Sequence, residues 1–455
     1  MHTIDTKYSE IRERFARLLR QIPGRPDGGI HRIEIPWPRQ DALNWLSLQN
    51  HDIKIYWADR QKHLVLAGIG ETVSICGDEP DVESILKKIR DRLKGSDPRV
   101  RFIGGIAFDS GPLRDPLWAP FKAFRFIVPR FEFQVLPDSA LLAFHFIQRG
   151  SDRAGIENQF MHELQRLKLN GDAKLTLLPD FIHRKDEPDW QRWQHQIDAS
   201  LQAFSDQILQ KVVLAKRTEY QLKTSTDPIT LLRHLAPQHA QAFHFALQLG
   251  DSGFTSVTPE RLYYRKEDEL YSEAVAGTRR RGKTRSMDEK LGTDLLTSEK
   301  DLREHRWVSD VVRSHLEPLC KRVDKPEKER LLKLAHVQHL FTPFHGQLKN
   351  GISDGKIVGC LHPTPAVGGH PKDKAYDLIR ELETFDRGWY AGPIGWINGT
   401  GAEFAVAIRS ALLNAQQLIL YAGSGIVQGS TAEKEWEETE IKLLNFTRLF
   451  QGNGH

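Results

Sequence analysis

Cysteine is scarce in this chain of 455 residues, with Cys76, Cys320 and Cys360 the three present. An odd number at such wide spacing fits no zinc or disulfide pattern and predicts reduced, mostly buried thiols. No run reaches the roughly 18 apolar residues of a membrane span. The charged N-terminus "MHTIDTKYSEIRERF" lacks the apolar stretch of a secretory signal. A cytoplasmic protein without membrane contact is the expectation. Internal repeats and low-complexity tracts are missing too, so nothing argues for a repeat architecture. An excess of either charge is likewise absent: 64 basic against 60 acidic residues leave a net +4. That balance suits small anionic substrates and does not imply nucleic acid. The one dense basic cluster, "RRRGKTR" (Arg279–Arg285), reads as a solvated loop.

The length allows two or three ordinary domains or one large mixed body, and 39% hydrophobic residues supply a sizeable core. Over about the first 185 residues a short amphipathic helix (Ile11–Gln21) is followed by strand-like runs, among them "HRIEI", "IKIYWA", "RFIGGIAF" and "ALLAFHFI". Turn residues and charges separate them, the pattern of a large, mainly antiparallel sheet. The charged "HRKDEPD" (His183–Asp189) is the linker candidate, between a β-rich region 1–185, expected to be integrated into the same fold, and a catalytic region 186–455. Beyond it Trp193, Ile197, Leu201, Phe204 and Ile208 fall on one helical face that leads into Lys211. Two further long helices are expected. One runs from Ser298 to Leu319, capped by Ser298 with Asp301 at its third position. The other runs from Ser430 to Phe450, opened by the capping-box pair Ser430 and Glu433. Helices arrive irregularly rather than in βαβ alternation, so the class is α+β, with helices outside large antiparallel sheets.

Two helix faces are acidic. "SEKDLREHRWV" puts Asp301 and Glu304 at i and i+3, and "AEKEWEETEIKLL" puts Glu435, Glu438 and Lys442 on a single face. Each face alone reads as a solvated one carrying salt bridges. Meeting across a cleft, they would make an all-oxygen site for a hard divalent ion such as Mg²⁺. Arg409 interrupts the apolar strand "FAVAIRSALL", and a buried arginine needs a carboxylate or phosphate partner. "YAGPIGWINGTG" and "YAGSGIVQG" read as tight turns, or as backbone that approaches a small ligand closely. The second is no dinucleotide loop, because its third glycine is one residue late and no βαβ unit surrounds it. His336, His339 and His345 of "HVQHLFTPFHG" lack the i,i+4 spacing and the glutamate of a zinc protease, so a zinc site is rejected. No motif for a nucleophilic serine or cysteine is present. Lys211 opens "KVVLAKR"; alone it would be a solvated strand end.

Together these pieces resemble the chorismate-utilising enzymes, the isochorismate synthases in particular. The segments that carry the resemblance run in order from "QKVVLAKR", "TPERLYYR" and "EAVAGTRRRG" through "SEKDLREH", "VQHLFTPFHG" and "LHPTPAVGGHPKDKA". They end with "EFAVAIRSALL", "YAGSGIVQGS" and "EWEETEIKL", and span about Trp190 to Phe450. The resemblance implies two stacked antiparallel sheets with helices outside and an active site in a deep cleft. It further implies Glu304 and Glu438 as Mg²⁺ ligands, with Asp301 and Glu435 behind them through waters. The ion would hold the ring carboxylate of chorismate, helped by Lys442 and the Gly277–Thr278 backbone. Arg409, Tyr421 and the Gly423–Gly425 turn match the pocket for the enolpyruvyl carboxylate, and His339 a substrate-orienting histidine. Lys211 matches the base that activates water to attack C2, and Glu260 of "TPERL" the acid that protonates the departing C4 hydroxyl. Hydroxide leaves poorly, so a neutral carboxylic acid must supply a proton, and a lysine can accept one only if its own charge is suppressed.

Among the family's activities, the aminating enzymes lack a lysine at the position of Lys211. One type of aminodeoxychorismate synthase has a nucleophilic lysine where Ala276 stands here, and no glutaminase segment is fused to this chain. Salicylate synthases keep the same base, acid and metal site, but carry threonine where this chain has Ala366. The expected product is therefore isochorismate, with salicylate as the alternative. The long N-terminal region favours a menaquinone-type over a siderophore-type enzyme, and a monomer is typical of the family. A catalytically decayed or basic binding protein of the same fold is the non-enzymatic alternative. The intact set of Lys211, Glu260, Glu304 and Glu438 argues against it.

Overall fold

The computed structural model describes residues 2–450 apart from 23–27, 79–80, 110–112, 114, 148–152, 170 and 335–336, with side chains from residue 9 onward. Its frame is a pair of antiparallel sheets. Among the described residues one has 12 strands and the other 10.

The larger sheet runs from Ile30–Pro36 at one edge through Ala140–Ile147, Phe131–Val135, Val65–Ile69 and Ile53–Ala58 to Phe243–Leu249. It continues with Ser252–Thr258, Ser410–Asn414, Gln417–Ile426 and Lys211–Leu222 to the two-residue strand Gly369–His370. The smaller sheet contains Val337–Leu348, Glu269–Arg280, Arg261–Lys266, Gly401–Val406 and Pro393–Ile397, followed by Phe102–Ile106 and Phe124–Val128. Both sheets thus mix strands from either side of residue 186.

Side-chain alternation sets the layers. Along Ile53–Ala58, Ile55 and Trp57 join a core that also includes Phe102, Phe126, Tyr263 and Phe404 of the other sheet, so this core lies between the sheets. Tyr56 and Ala58, pointing the other way, join a second core with Phe15, Trp45, Phe160, Leu232 and Phe446. Those five residues belong to helices His2–Gln21, Ala42–Leu48, Arg153–Leu164, Pro228–Leu235 and Ala432–Phe450, which cover the outer face of the larger sheet.

Several local expectations change. The proposed linker is mostly strand: Phe181–Glu187 pairs with Lys211–Leu222, whose edge the short strand Gly369–His370 covers only at Lys211 and Val212. The helix after it ends at Ser205, leaving Ile208 outside it and 50% exposed. Ser298 does cap its helix, accepting the Asp301 N–H at 3.4 Å. The last helix, however, starts one residue later than a Ser430 cap requires. Thr431 Oγ1 accepts the Lys434 N–H at 3.5 Å, while Ser430 Oγ accepts the Val427 N–H at 3.2 Å. Cys76 is exposed, Cys360 intermediate and Cys320 buried, all as free thiols. The basic cluster is partly structural: Arg279 pairs with Asp301 and Arg281 with Asp288. His345 is bound to Glu269, and His336 lies outside the described residues. No described helix is long and apolar enough to cross a membrane.

Candidate active site

Lys211 is the first residue of its strand and pairs with His370, while Val212 pairs with Ile426. The largely buried ammonium is pushed below its ordinary range, first by burial and then by Lys442, against the pull of Glu304, Glu260 and Glu438. One lysine therefore gathers around it the predicted acid, both predicted metal ligands and the predicted substrate cation. Gly425 makes room for it: a Cβ there would stand 3.1 Å from Lys211 Cε.

Glu260 sits in the short connection between Ser252–Thr258 and Arg261–Lys266. Its N–H donates to Thr258 Oγ1 at 3.2 Å and its carbonyl accepts the Val406 N–H at 3.0 Å. Oε1 accepts the Thr364 hydroxyl at 2.8 Å. Burial pushes the carboxyl up to about 7, with Glu273 adding to the rise and Thr364 and Lys211 opposing it. A carboxylic acid still protonated near neutral pH can give a proton to a leaving group.

The two acidic helices are anchored by their buried sides. His305 Nε2 meets Thr342 Oγ1 at 2.8 Å, fixing the helix Glu299–Leu316 to strand Val337–Leu348 and leaving Glu304 exposed beside it. Asp301 takes Arg279 Nη2 at 2.5 Å. Burial alone would raise its carboxyl, but Ser298 and Arg279 hold it below the usual range. On the last helix, Glu435 accepts the Ser424 hydroxyl at 2.5 Å. Lys442 Nζ bridges Glu438 Oε1 at 2.7 Å and the Gly423 carbonyl at 2.8 Å. Glu440 fastens the helix to Lys216 and to Arg184.

Among the described residues no group of three or more His, Cys, Asp or Glu side chains converges to hold an ion alone. Glu304 and Glu438 both act electrostatically on Lys211. Such a hard, sparse donor set fits Mg²⁺, which completes its shell with waters and substrate oxygens.

Arg409 lies in the left-handed region, φ +48°. Burial pushes its guanidinium below the ordinary range, and among the described residues no carboxylate pairs with it. A sequestered, unpaired guanidinium is unfavourable without an anionic partner. His339 lies within its field and is held neutral, pushed down to about 4 by burial and then by Arg409. Its Nδ1 meets Thr278 Oγ1 at 2.9 Å. Gly277, φ +71°, forms the bulge between Ala276 and Thr278, and a Cβ on it would meet Leu340 and Asp301 at 3.3 and 3.5 Å. Tyr421 stacks on Tyr390 at 5.2 Å, and the Tyr390 hydroxyl occupies the space a side chain at Gly423 would need. Ala366 is exposed on the turn that Thr364 opens.

No local sequence pattern marks Thr364, Tyr390, Ser424 or His305 for these contacts. Thr364 follows the His362–Pro363 pair, a turn signal, but its partner is 104 residues away.

Lys211 and Glu260, shifted in opposite directions, lie in one electrostatic neighbourhood with Glu304, Glu438 and Lys442. The chain belongs to the chorismate binding enzyme family, which matches residues 17–451. It is 33% identical to isochorismate synthase 2, chloroplastic, of Arabidopsis thaliana over 95% of this chain and 83% of that one. It is 32% identical to the isochorismate synthase MenF of Bacillus subtilis, over 91% and 92% of the two chains. The solved structure of MenF, the menaquinone-specific isochorismate synthase of Escherichia coli, superposes with a TM-score of 0.84 at 27% identity, covering 97% of this chain and 99% of that one.

Proposed function

We infer that this chain is an isochorismate synthase, an isomerase that converts chorismate to isochorismate, in the menaquinone branch. The observation that carries the mechanism is the opposed shift of two neighbours: Glu260 is held protonated to about pH 7 while Lys211 is pushed toward its neutral form. Lys211 takes a proton from water as the oxygen bonds to C2. The ring double bonds shift, the bond from C4 to its hydroxyl breaks, and Glu260 gives that hydroxyl its proton. Water is consumed at C2 and released from C4, so the reaction is an isomerisation.

Arg409 would receive the enolpyruvyl carboxylate, with Tyr421 and the Gly423–Gly425 backbone closing the pocket and His339 orienting the ring. Neutral His339 can do so without competing for that anion. Glu304 and Glu438 would hold Mg²⁺, with Asp301 and Glu435 behind them and Lys442 and Gly277–Thr278 beside the ring carboxylate. The ion would neutralise that carboxylate and fix the ring between acid and base.

Match over more than nine-tenths of a MenF-type chain supports the menaquinone branch. A cytoplasmic monomer acting without a glutaminase, nucleic acid or membrane is the accompanying reading, and free thiols suit that compartment. The decisive assay incubates the pure protein with chorismate and Mg²⁺ and separates the products. Isochorismate is expected, and anthranilate or an unchanged substrate would overturn the assignment.

A further inference from the structure

A buried ion pair outside this set reaches it through one hydrogen bond. Arg60 stands in the turn between strands Ile53–Ala58 and Val65–Ile69, far from the acid in sequence. Its Nη2 lies 2.5 and 2.6 Å from the two carboxylate oxygens of Glu273, with the side chains 5% and 2% exposed. Glu273 Oε1 also accepts the main-chain N–H of Arg261 at 3.1 Å, and Arg261 directly follows Glu260. The Glu260 peptide is thus tied on its far side by a side chain that Arg60 holds.

The turn carrying Arg60 is itself braced. The Asp59 carboxylate accepts the N–H groups of Gln61, His63 and Leu64 at 2.8, 3.2 and 2.6 Å. Lys62 Nζ donates to the Ala242 carbonyl at 2.8 Å. The guanidinium groups of Arg60 and Arg261 lie 5.2 and 5.3 Å from the centroid of the Phe243 ring. A buried ion pair gains little net stability, because desolvation offsets its attraction. Its place beside the acid is what gives it consequence.

We propose that Glu273, held by Arg60, is a positioning residue for the general acid Glu260, so that the N-terminal region takes part in the proton-donating step. The proposal rests on Glu260 being that acid. Two effects follow from the geometry. The hydrogen bond fixes the peptide from which Glu260 projects. The Glu273 charge, added to burial, favours the protonated form of Glu260. The other groups that face Glu260 are Lys211, Thr364 and Tyr390, and those that face Glu273 are Arg60 and Arg261.

The test compares Glu273→Gln, Glu273→Ala and the double variant Arg60→Gln/Glu273→Gln with the wild-type chain. Readouts are kcat and KM for chorismate across pH, with the thermal midpoint as control. Glutamine keeps an oxygen for the Arg261 N–H and removes the charge, so the break near pH 7 should move down by about one unit while KM stays within about twofold. Alanine also removes the acceptor and should cost about a further tenfold in kcat. Glu273→Gln alone leaves Arg60 buried and unpaired. The double variant removes that strain and should recover the thermal midpoint while keeping the shifted break. A folded double variant whose break stays near pH 7 overturns the positioning role while leaving the function intact. A wild-type chain that does not turn over chorismate overturns the function and this role with it.

Discussion

Gly425 and Lys211 lie so close on neighbouring strands that a Cβ on the glycine would stand 3.1 Å from Lys211 Cε and 3.6 Å from Nζ. The Lys211 amine, the proposed base, is therefore seated by a gap on the next strand as well as by its own backbone. Lys211→Ala should lower kcat by about 10²–10⁴-fold with KM little changed, the usual loss for a general base. Gly425→Ala should lower kcat by about tenfold or more by displacing the amine, with the thermal midpoint nearly unchanged. Near-normal turnover in Lys211→Ala would mean that water is activated elsewhere.

Glu260 gives a prediction on stability as well as rate. Its folded-state carboxyl is raised above the unfolded value, to about 7. The folded chain thus binds the extra proton between about pH 4.5 and 7, and stability falls as pH rises through that window. Glu260→Gln should remove that slope, becoming more stable than wild type at pH 8 by on the order of 2–3 kcal/mol and indistinguishable near pH 4. Glu403, also raised to about 7, contributes a similar slope that the comparison cancels. The same variant should lose about 10²–10⁴-fold in kcat. Denaturation curves at the two pH values check the first, and initial rates the second. A Glu260→Gln protein with the wild-type pH dependence of stability would place the raised carboxyl elsewhere.

Arg409 carries a charge that the described protein leaves without a carboxylate. Arg409→Met should raise the thermal midpoint, because an uncompensated buried charge is removed, while KM for chorismate rises at least about tenfold. Arg409→Lys should also raise KM, since an ammonium cannot make the two parallel bonds of a guanidinium to a carboxylate. A methionine variant that loses stability and keeps KM would mean the guanidinium serves the fold.

How far these residues could be read from the sequence depends on the distance over which each acts. Asp301 and Glu304 share a face by helical spacing, and Ser298 caps the same helix within three residues, so both were legible. The contact of Thr364 with Glu260, 104 residues apart, and that of Arg60 with Glu273, 213 apart, depend on strand order that no local pattern encodes. The charged composition of His183–Asp189 reads as a linker. Pairing of Phe181–Glu187 with Lys211–Leu222 makes it mostly strand. The N-terminal strands are legible in the sequence, and their integration into the same fold is expected, but their order among the later strands in both sheets is not encoded locally. The candidate metal ligands and base are legible only through resemblance to a family, because each acidic face alone reads as solvated surface.

The carboxylate pair gives a prediction on metal dependence. Chelation should abolish turnover and added Mg²⁺ should restore it, and Glu304→Ala and Glu438→Ala should each be inactive yet folded. In the structure Glu438 holds Lys442 at 2.7 Å. A divalent ion competing for that carboxylate should therefore alter the thermal midpoint of wild type and leave Glu438→Ala nearly unmoved. Full activity in excess chelator would remove the metal from the mechanism.

The last prediction concerns nucleophile and product. Lys211 is present as the proposed base, and by resemblance Ala276 stands where one type of aminodeoxychorismate synthase has a nucleophilic lysine, so water is the expected nucleophile. In ¹⁸O-labelled water the product should carry label at C2, and added ammonium should yield no anthranilate. Exchange of one hydroxyl position for another is reversible, so the reaction should stop at a mixture of chorismate and isochorismate. Ala366 lies on the turn opened by Thr364, whose hydroxyl is 2.8 Å from the Glu260 carboxylate. By resemblance, salicylate synthases carry threonine at the position of Ala366. Ala366→Thr should increase the share of pyruvate released, measured by coupled lactate dehydrogenase, while wild type releases it only slowly. Steady stoichiometric pyruvate and salicylate from the wild-type chain would move the assignment to a salicylate synthase, with the roles of Lys211 and Glu260 unchanged.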